Sequence, residues 1–225
     1  MNSFHDLSNR LSADVGIAIA SVGSSPLCLG TWSSGVAWST SKVPLVIAAS
    51  RAGVGSHELA AQTIAQSDNA AAEELWSQLG DPASAARRVQ DVIREAGDPA
   101  TVVESRRLRR GYTAFGQTRW SLAGQARFAA GLVQVAEASP VVDLMRGLTT
   151  DHRWGLAAKG FAAKGGWGPG LADDYLVRQF GIVPTASGLV GVAIAAEVHD
   201  GAYEAGVDVI NRLADWVVDE ALSQQ

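Results

Sequence analysis

Three apolar, β-branched runs bracket a long central stretch of helical pattern, and that order constrains the fold more than any other feature of the chain. Residues 15–21 read VGIAIAS, a buried strand. Residues 26–32 follow Gly-Ser-Ser turn chemistry and complete a hairpin. Residues 174–183 and 188–198 form two further strands, and a helix over 205–222 ends the chain. Ahead of the first strand, residues 4–13 predict a short amphipathic helix with Phe4, Leu7 and Leu11 on one face. The middle predicts helices over 40–51, 56–79 with a break near Ser67, 82–96, 121–136 and 141–148, with a basic loop over 97–116. Pro44 falls in a first turn, where a missing N–H costs little. Strands on both sides of a helical block imply an α/β (α+β) fold, one sheet assembled from both ends with a helical lobe inserted. At 225 residues this is one domain, with a sheet lobe over about 1–37 and 155–225 and a helical lobe over about 38–154.

Composition narrows the function classes. Hydrophobic residues make up 47% and charged residues 18%, as in an ordinary globular protein. A formal charge of −5 offers no general attraction to nucleic acid. Cys28 is the single cysteine, so no internal disulfide forms. No run reaches the roughly 18 apolar residues of a membrane span. The first twenty residues lack the basic region and cleavage site of a secretory leader, so a cytoplasmic location is expected unless a leader has been removed.

Fifteen arginines accompany only three lysines, Lys42, Lys159 and Lys164. A position that keeps lysine is a candidate for a compact ammonium that burial can deprotonate, the alternative being base composition with three chance survivors. Ser39-Thr40-Ser41-Lys42 sets a hydroxyl and an amine on one face of a helix start, where a lysine of depressed pKa can take the serine proton. Taken alone, the tetrad also reads as a helix cap with a surface lysine. Ser67-Asp68-Asn69 interrupts an Ala/Leu-rich helical pattern with residues that prefer caps and turns. Lys164-Gly165-Gly166 ends an apparent strand, and its glycines allow close approach to the backbone.

S-x-x-K, S-D-N and K-T-G are the motifs of serine β-lactamases and penicillin-binding proteins, and here they stand in that order. The chain resembles class A β-lactamases beyond the motifs, in AWSTSKVPL, ELAAQTIAQSDNAAAEELW, REAGDPAT, GQTRWSLAGQARFAAGL and AAKGGWGPG. The resemblance implies a five-stranded antiparallel sheet flanked by helices, with the active site between two lobes. It implies Ser39 as acylated nucleophile, Lys42 as its base, Ser67 as proton shuttle and Lys164 as a positive charge beside it. Asn69, Gly165, Gly166 and Trp167 would bind substrate, and the N–H groups of Ser39 and Trp167 would form the oxyanion hole. The implied partner is a small-molecule or peptide substrate such as a β-lactam or cell-wall peptide, and the implied location is extracytoplasmic if a leader was removed.

Three departures qualify that expectation. Only 28 residues separate Ser39 from Ser67, so the helical lobe is reduced. Arg107 aligns where the family's Ω-loop keeps its deacylating carboxylate, with Glu104 three residues away. Gly165 replaces the threonine of K-T-G. Slow deacylation follows from the second. A binding or sensor domain on the same fold, and an esterase or peptidase, remain as alternatives.

His5, His57, His152 and His199 are scattered without a cysteine partner, so no zinc site and no cofactor are expected. Arg106, Arg107, Arg109 and Arg110 form a basic loop, either solvated or an anion-recognising rim. The tryptophans Trp32, Trp38, Trp76, Trp120, Trp154 and Trp216 read as core, and Trp167 as the exception.

Overall fold

The computed structural model describes residues 2–171, 173–199 and 202–221. Helix α1 (Asn2–Ser8) leads into strands β1 (Asp14–Ser21) and β2 (Leu27–Gly30). A short strand β3 (Ser34–Val36) and a 3-10 turn (Trp38–Ser41) precede helices α2 (Lys42–Arg51), α3 (His57–Ala65), α4 (Asn69–Gln78) and α5 (Pro82–Glu95). Then come strand β4 (Arg119–Ser121), helices α6 (Leu122–Gly131) and α7 (Ala138–Arg146), strands β5 (Ala162–Pro169), β6 (Asp174–Thr185) and β7 (Gly188–His199), and helix α8 (Tyr203–Trp216).

One five-stranded sheet has the order β2-β1-β7-β6-β5 with every pair antiparallel. The two ends of the chain lie side by side in it: Asp14 pairs with Glu197 and Ser21 with Val190. Period-two alternation divides the strands between two cores. Val15, Ile17 and Ile19 face the α8 side, while Ala18 and Ala20 face the α6 side. On β7, Val190, Val192 and Ile194 face α8, and Ala193 and Ala195 face α6. On β1 and β7 the α6 face is thus built from small residues, and the helix lies close against it. A Cβ at Gly191 would come within 2.0 Å of the Ala126 carbonyl oxygen.

Helix α2 is buried from Lys42 through Ala49 and packs against α3, α4, α5 and α7. It is the axis of the helical part, and its first residue is a lysine.

Several local expectations change. The first helix ends at Ser8 rather than 13, although Leu11 is still buried. Helix α7 begins at Ala138, with Pro140 tolerated in its first turn, and ends at Arg146. Helix α8 begins at Tyr203 and gives way to a π turn over Val217–Ala221; Leu222, the expected end, lies outside the described residues. Strands β3 and β4 pair through Ser34–Ser121, Gly35–Trp120 and Val36–Arg119, a small sheet the sequence reading did not anticipate. Lys164 sits near the start of β5, which continues through the glycines to Pro169 instead of turning.

Because the α6–sheet contact at Gly191 is backbone against backbone, it has no flexible side chain to yield. Gly191→Ala is expected to destabilise the fold by about 1–3 kcal/mol, read as a lower denaturant midpoint with an unchanged slope. An unchanged midpoint would contradict the close packing of α6.

Candidate active site

The turn Trp38–Ser41 holds three consecutive hydroxyl residues, and only one opens to a cavity. Thr40 Oγ1 donates to the Ala37 carbonyl at 2.5 Å and Ser41 Oγ to the Trp38 carbonyl at 2.7 Å, both buried. Ser39 is half-buried and lines a cavity of about 350 Å³. Its neighbour Trp38 has φ +51°, a conformation that costs a bulky residue on the order of 1–3 kcal/mol. The turn is held from beneath. Gln125 Nε2 donates to Thr40 Oγ1 at 2.8 Å, and Arg178 Nη2 donates to Gln125 Oε1 at 2.7 Å. Arg178 is fully buried on β6 and also donates to the carbonyls of Gly35, Val36 and Trp120.

The break between α3 and α4 supplies the facing wall. Ser67 takes φ +54°, and Asp68 caps α4 by accepting from the Ala71 N–H at 2.7 Å. This brings three acceptors to one amine. Lys42 Nζ donates to the Ser67 carbonyl at 2.5 Å and to Asn69 Oδ1 at 2.7 Å, and lies 3.4 Å from Ser67 Oγ. From β5, Lys164 Nζ donates to Ser67 Oγ at 2.8 Å and to the Gly165 carbonyl at 3.0 Å. Two amines therefore meet on one serine hydroxyl.

Ser39, Lys42, Ser67, Asn69 and Trp167 line the same cavity. Lys164 is fully buried behind Ser67. Gly166 backs the Ser39 turn: a Cβ there would stand 2.8 Å from the Ser39 nitrogen and 3.0 Å from that of Thr40. Gly165 faces Trp154 instead, where a Cβ would come within 2.5 Å of the indole. The middle position of this motif has no room for a threonine. The i,i+3 hydrogen bond expected between Ser39 and Lys42 is not made. Lys42 is turned to the carbonyl of Ser67 and the amide of Asn69, and among the described residues no hydrogen bond reaches Ser39 Oγ.

Electrostatics follow burial. Desolvation pushes the Lys42 amine from 10.5 down to about 7, against an opposing pull from Asp68. Burial, then the charge of Lys42, holds Lys164 well below its usual value. The like-charge effect of the pair thus falls on Lys164 and not on Lys42. The third lysine is different: Lys159 is an exposed partner of Asp215, which raises its pKa.

Sequence reasoning passed over several cavity residues. His152 lines the cavity with its ring centroid 5.3 Å from that of Trp167, and burial, then Lys164, lowers its pKa. No sequence signal marks it. Trp38 is both core and cavity wall, packed edge-on against Tyr112 at 5.2 Å. The basic loop is exposed at Arg106, Arg107 and Arg110, as a solvated run would be, and several of its arginines also have partners. Arg106 pairs with Glu104, Arg107 with Glu73, and Arg109 stacks over Tyr112 while donating to the Pro169 carbonyl at 2.8 Å. Glu73 also lines the cavity, and its place one turn beyond Asn69 was a signal available in the sequence.

No protein-family model matches the chain, and no curated protein does. Solved structures do. A class A β-lactamase from Bacteroides cellulosilyticus superposes with TM-score 0.78 at 13% identity, covering 99% of this chain and 96% of that one. A β-lactamase from Chitinophaga pinensis gives 0.74 at 18% identity over 98% of both chains. A mutant of PBP-A, solved as an acyl-enzyme complex with penicillin G, gives 0.70 at 19% identity over 98% of this chain and 94% of that one. The fold is that of the class A β-lactamases.

Within this β-lactamase fold, the three lysines occupy three distinct environments and can be observed separately. With lysine labelled at the ε-carbon, one NMR resonance is expected to titrate near 7, a second below the ordinary range, and the Lys159 signal above 10.5. Lys42→Met should remove the first. Three titrations near 10.5 would contradict the buried pair. Since the folded value of Lys42 lies below its unfolded one, unfolding takes up a proton between about 7 and 10.5. The contribution of Lys42 to stability therefore rises with pH across that window.

Proposed function

We propose that this chain is a serine acyl-transfer protein, a single two-lobed domain in which Ser39 attacks a strained amide or ester carbonyl and becomes acylated. One observation carries the reading: the only hydroxyl of its turn that opens to the cavity shares that cavity with a Lys42 amine brought to about 7 by burial. A lysine near neutrality is a base at physiological pH, as an ordinary lysine is not. The resting amine is turned to Ser67 and Asn69, and substrate would draw it to Ser39, since such contacts tighten only in the reacting complex.

In this reading the neutral Lys42 takes the Ser39 proton as Oγ bonds to the carbonyl carbon. The N–H groups of Ser39 and Trp167 carry the oxyanion. The tetrahedral species collapses with cleavage of the bond to the leaving group. Ser67, hydrogen-bonded to Lys164, passes a proton to the departing atom and is reprotonated from Lys42. Asn69 and the edge of β5 hold the substrate, of β-lactam or cell-wall-peptide type. Deacylation is the slow step. Arg107 occupies the aligned Ω-loop position, and Glu104 is engaged by Arg106 through Oε1 at 3.0 Å and Oε2 at 3.2 Å. Losing a well-placed general base costs about 10²–10⁴-fold.

Intact-protein mass spectrometry after incubation with penicillin G tests the reading. The expected result is a single adduct that decays slowly, absent in Ser39→Ala and in Lys42→Arg, whose guanidinium keeps its proton. An adduct that persists indefinitely favours a sensor. No adduct with any lactam, alongside cleavage of simple esters, favours an esterase. Full labelling of Lys42→Arg would remove Lys42 from the mechanism.

A further inference from the structure

Asn69 and Glu73 stand four residues apart on α4, so their side chains share one helix face. That face borders the cavity, and Glu73 is the one carboxylate among the described residues that lines it. Its two oxygens have different surroundings. Oε2 accepts from Arg107 Nη2 at 2.7 Å. Oε1 is shielded from bulk solvent and, among the described residues, has no hydrogen-bond partner. A buried carboxylate oxygen without a donor is costly, and such groups in folded proteins call for an explanation.

Arg107 is fixed in turn by its bond to the Tyr112 carbonyl at 3.3 Å, and Tyr112 packs on Trp38 beside Ser39. The loop that resembles the Ω-loop thus brings a cation to the cavity where the resemblance leads one to expect a carboxylate. That cation grips a carboxylate presented by α4.

The geometry points to Glu73 as the general base that activates water against the acyl group on Ser39, an inference that rests on the acyl-transfer reading above. The hydrogen bond that Oε1 lacks is one a single water could donate. As the water oxygen bonds to the acyl carbon, its proton moves to Glu73 Oε1. The tetrahedral species then breaks the bond from carbon to Ser39 Oγ, and the proton passes from Glu73 to that oxygen. Free serine, the carboxylate form of Glu73 and a carboxylic acid product result, and nothing else is consumed. Arg107 orients the carboxylate, and by neutralising part of its charge keeps the step slow.

Glu73→Gln preserves the shape of the residue and removes its basicity. The full chain and this variant are each acylated with penicillin G, excess lactam is removed, and loss of the adduct is followed by mass spectrometry, with Glu104→Gln as the comparison. The expected result is an unchanged rate of adduct formation in Glu73→Gln and adduct loss slowed by about 10²-fold or more, while Glu104→Gln decays like the parent chain. Adduct formation at the parent rate also certifies that the variant is folded. Decay of Glu73→Gln at the parent rate would overturn the assignment, as would a parent adduct that never decays. Failure of Glu73→Gln to acylate would overturn a role confined to deacylation. Failure of the parent chain to acylate would instead overturn the acyl-transfer reading, a separate outcome.

Discussion

The desolvation of Lys42 is the constraint around which the helical part is arranged. KVPLVIAA is apolar enough to be surrounded on every side, so α2 runs through the middle of its neighbours and draws its first residue in with it. A buried ammonium is tolerated only where acceptors meet it. Those acceptors are supplied by the interruption of the α3–α4 pattern: a left-handed Ser67 turns its carbonyl to the amine, and Asn69 in the first turn of α4 adds an amide oxygen. Deprotonation lightens the remaining cost, which is why the amine settles near neutrality.

The sheet is joined to this centre by two devices. One is a buried chain of hydrogen bonds from Arg178 on β6 through Gln125 on α6 to Thr40, which fixes the turn carrying Ser39. The other is absence of bulk. Gly166 leaves space for the Ser39 backbone, and Gly168 leaves space for the Trp38 ring, which would otherwise meet a Cβ at 2.5 Å. With β5 thus close to the turn, Lys164 reaches Ser67 from the sheet while Lys42 reaches it from the helix. A serine between two amines can pass a proton either way, and the proposed chemistry draws on that.

Much of this was legible in the sequence because the relevant forces are local. The apolar strands and the helix break at Ser67 express short-range preferences, and the structure contains both. The scarcity of lysine pointed at three positions, of which Lys42 and Lys164 are buried and Lys159 is exposed. What was not legible depends on distant partners. Strands β3 and β4 are three residues each and are held by Arg178, far along the chain. His152 reaches the cavity only because the segment after α7 folds back over α3, where its Nδ1 lies 3.5 Å from the Ala65 carbonyl. The partners of Arg107 and Arg109 were hidden because they lie on α4 and at the end of β5.

The pH dependence of Ser39 acylation by penicillin G measures the contribution of the buried amine most directly. If neutral Lys42 is the base, the rate constant for adduct formation rises with pH through a single midpoint near 7 and then levels. A rate that is flat across that range, or that climbs only toward the ordinary lysine value of 10.5, would contradict it.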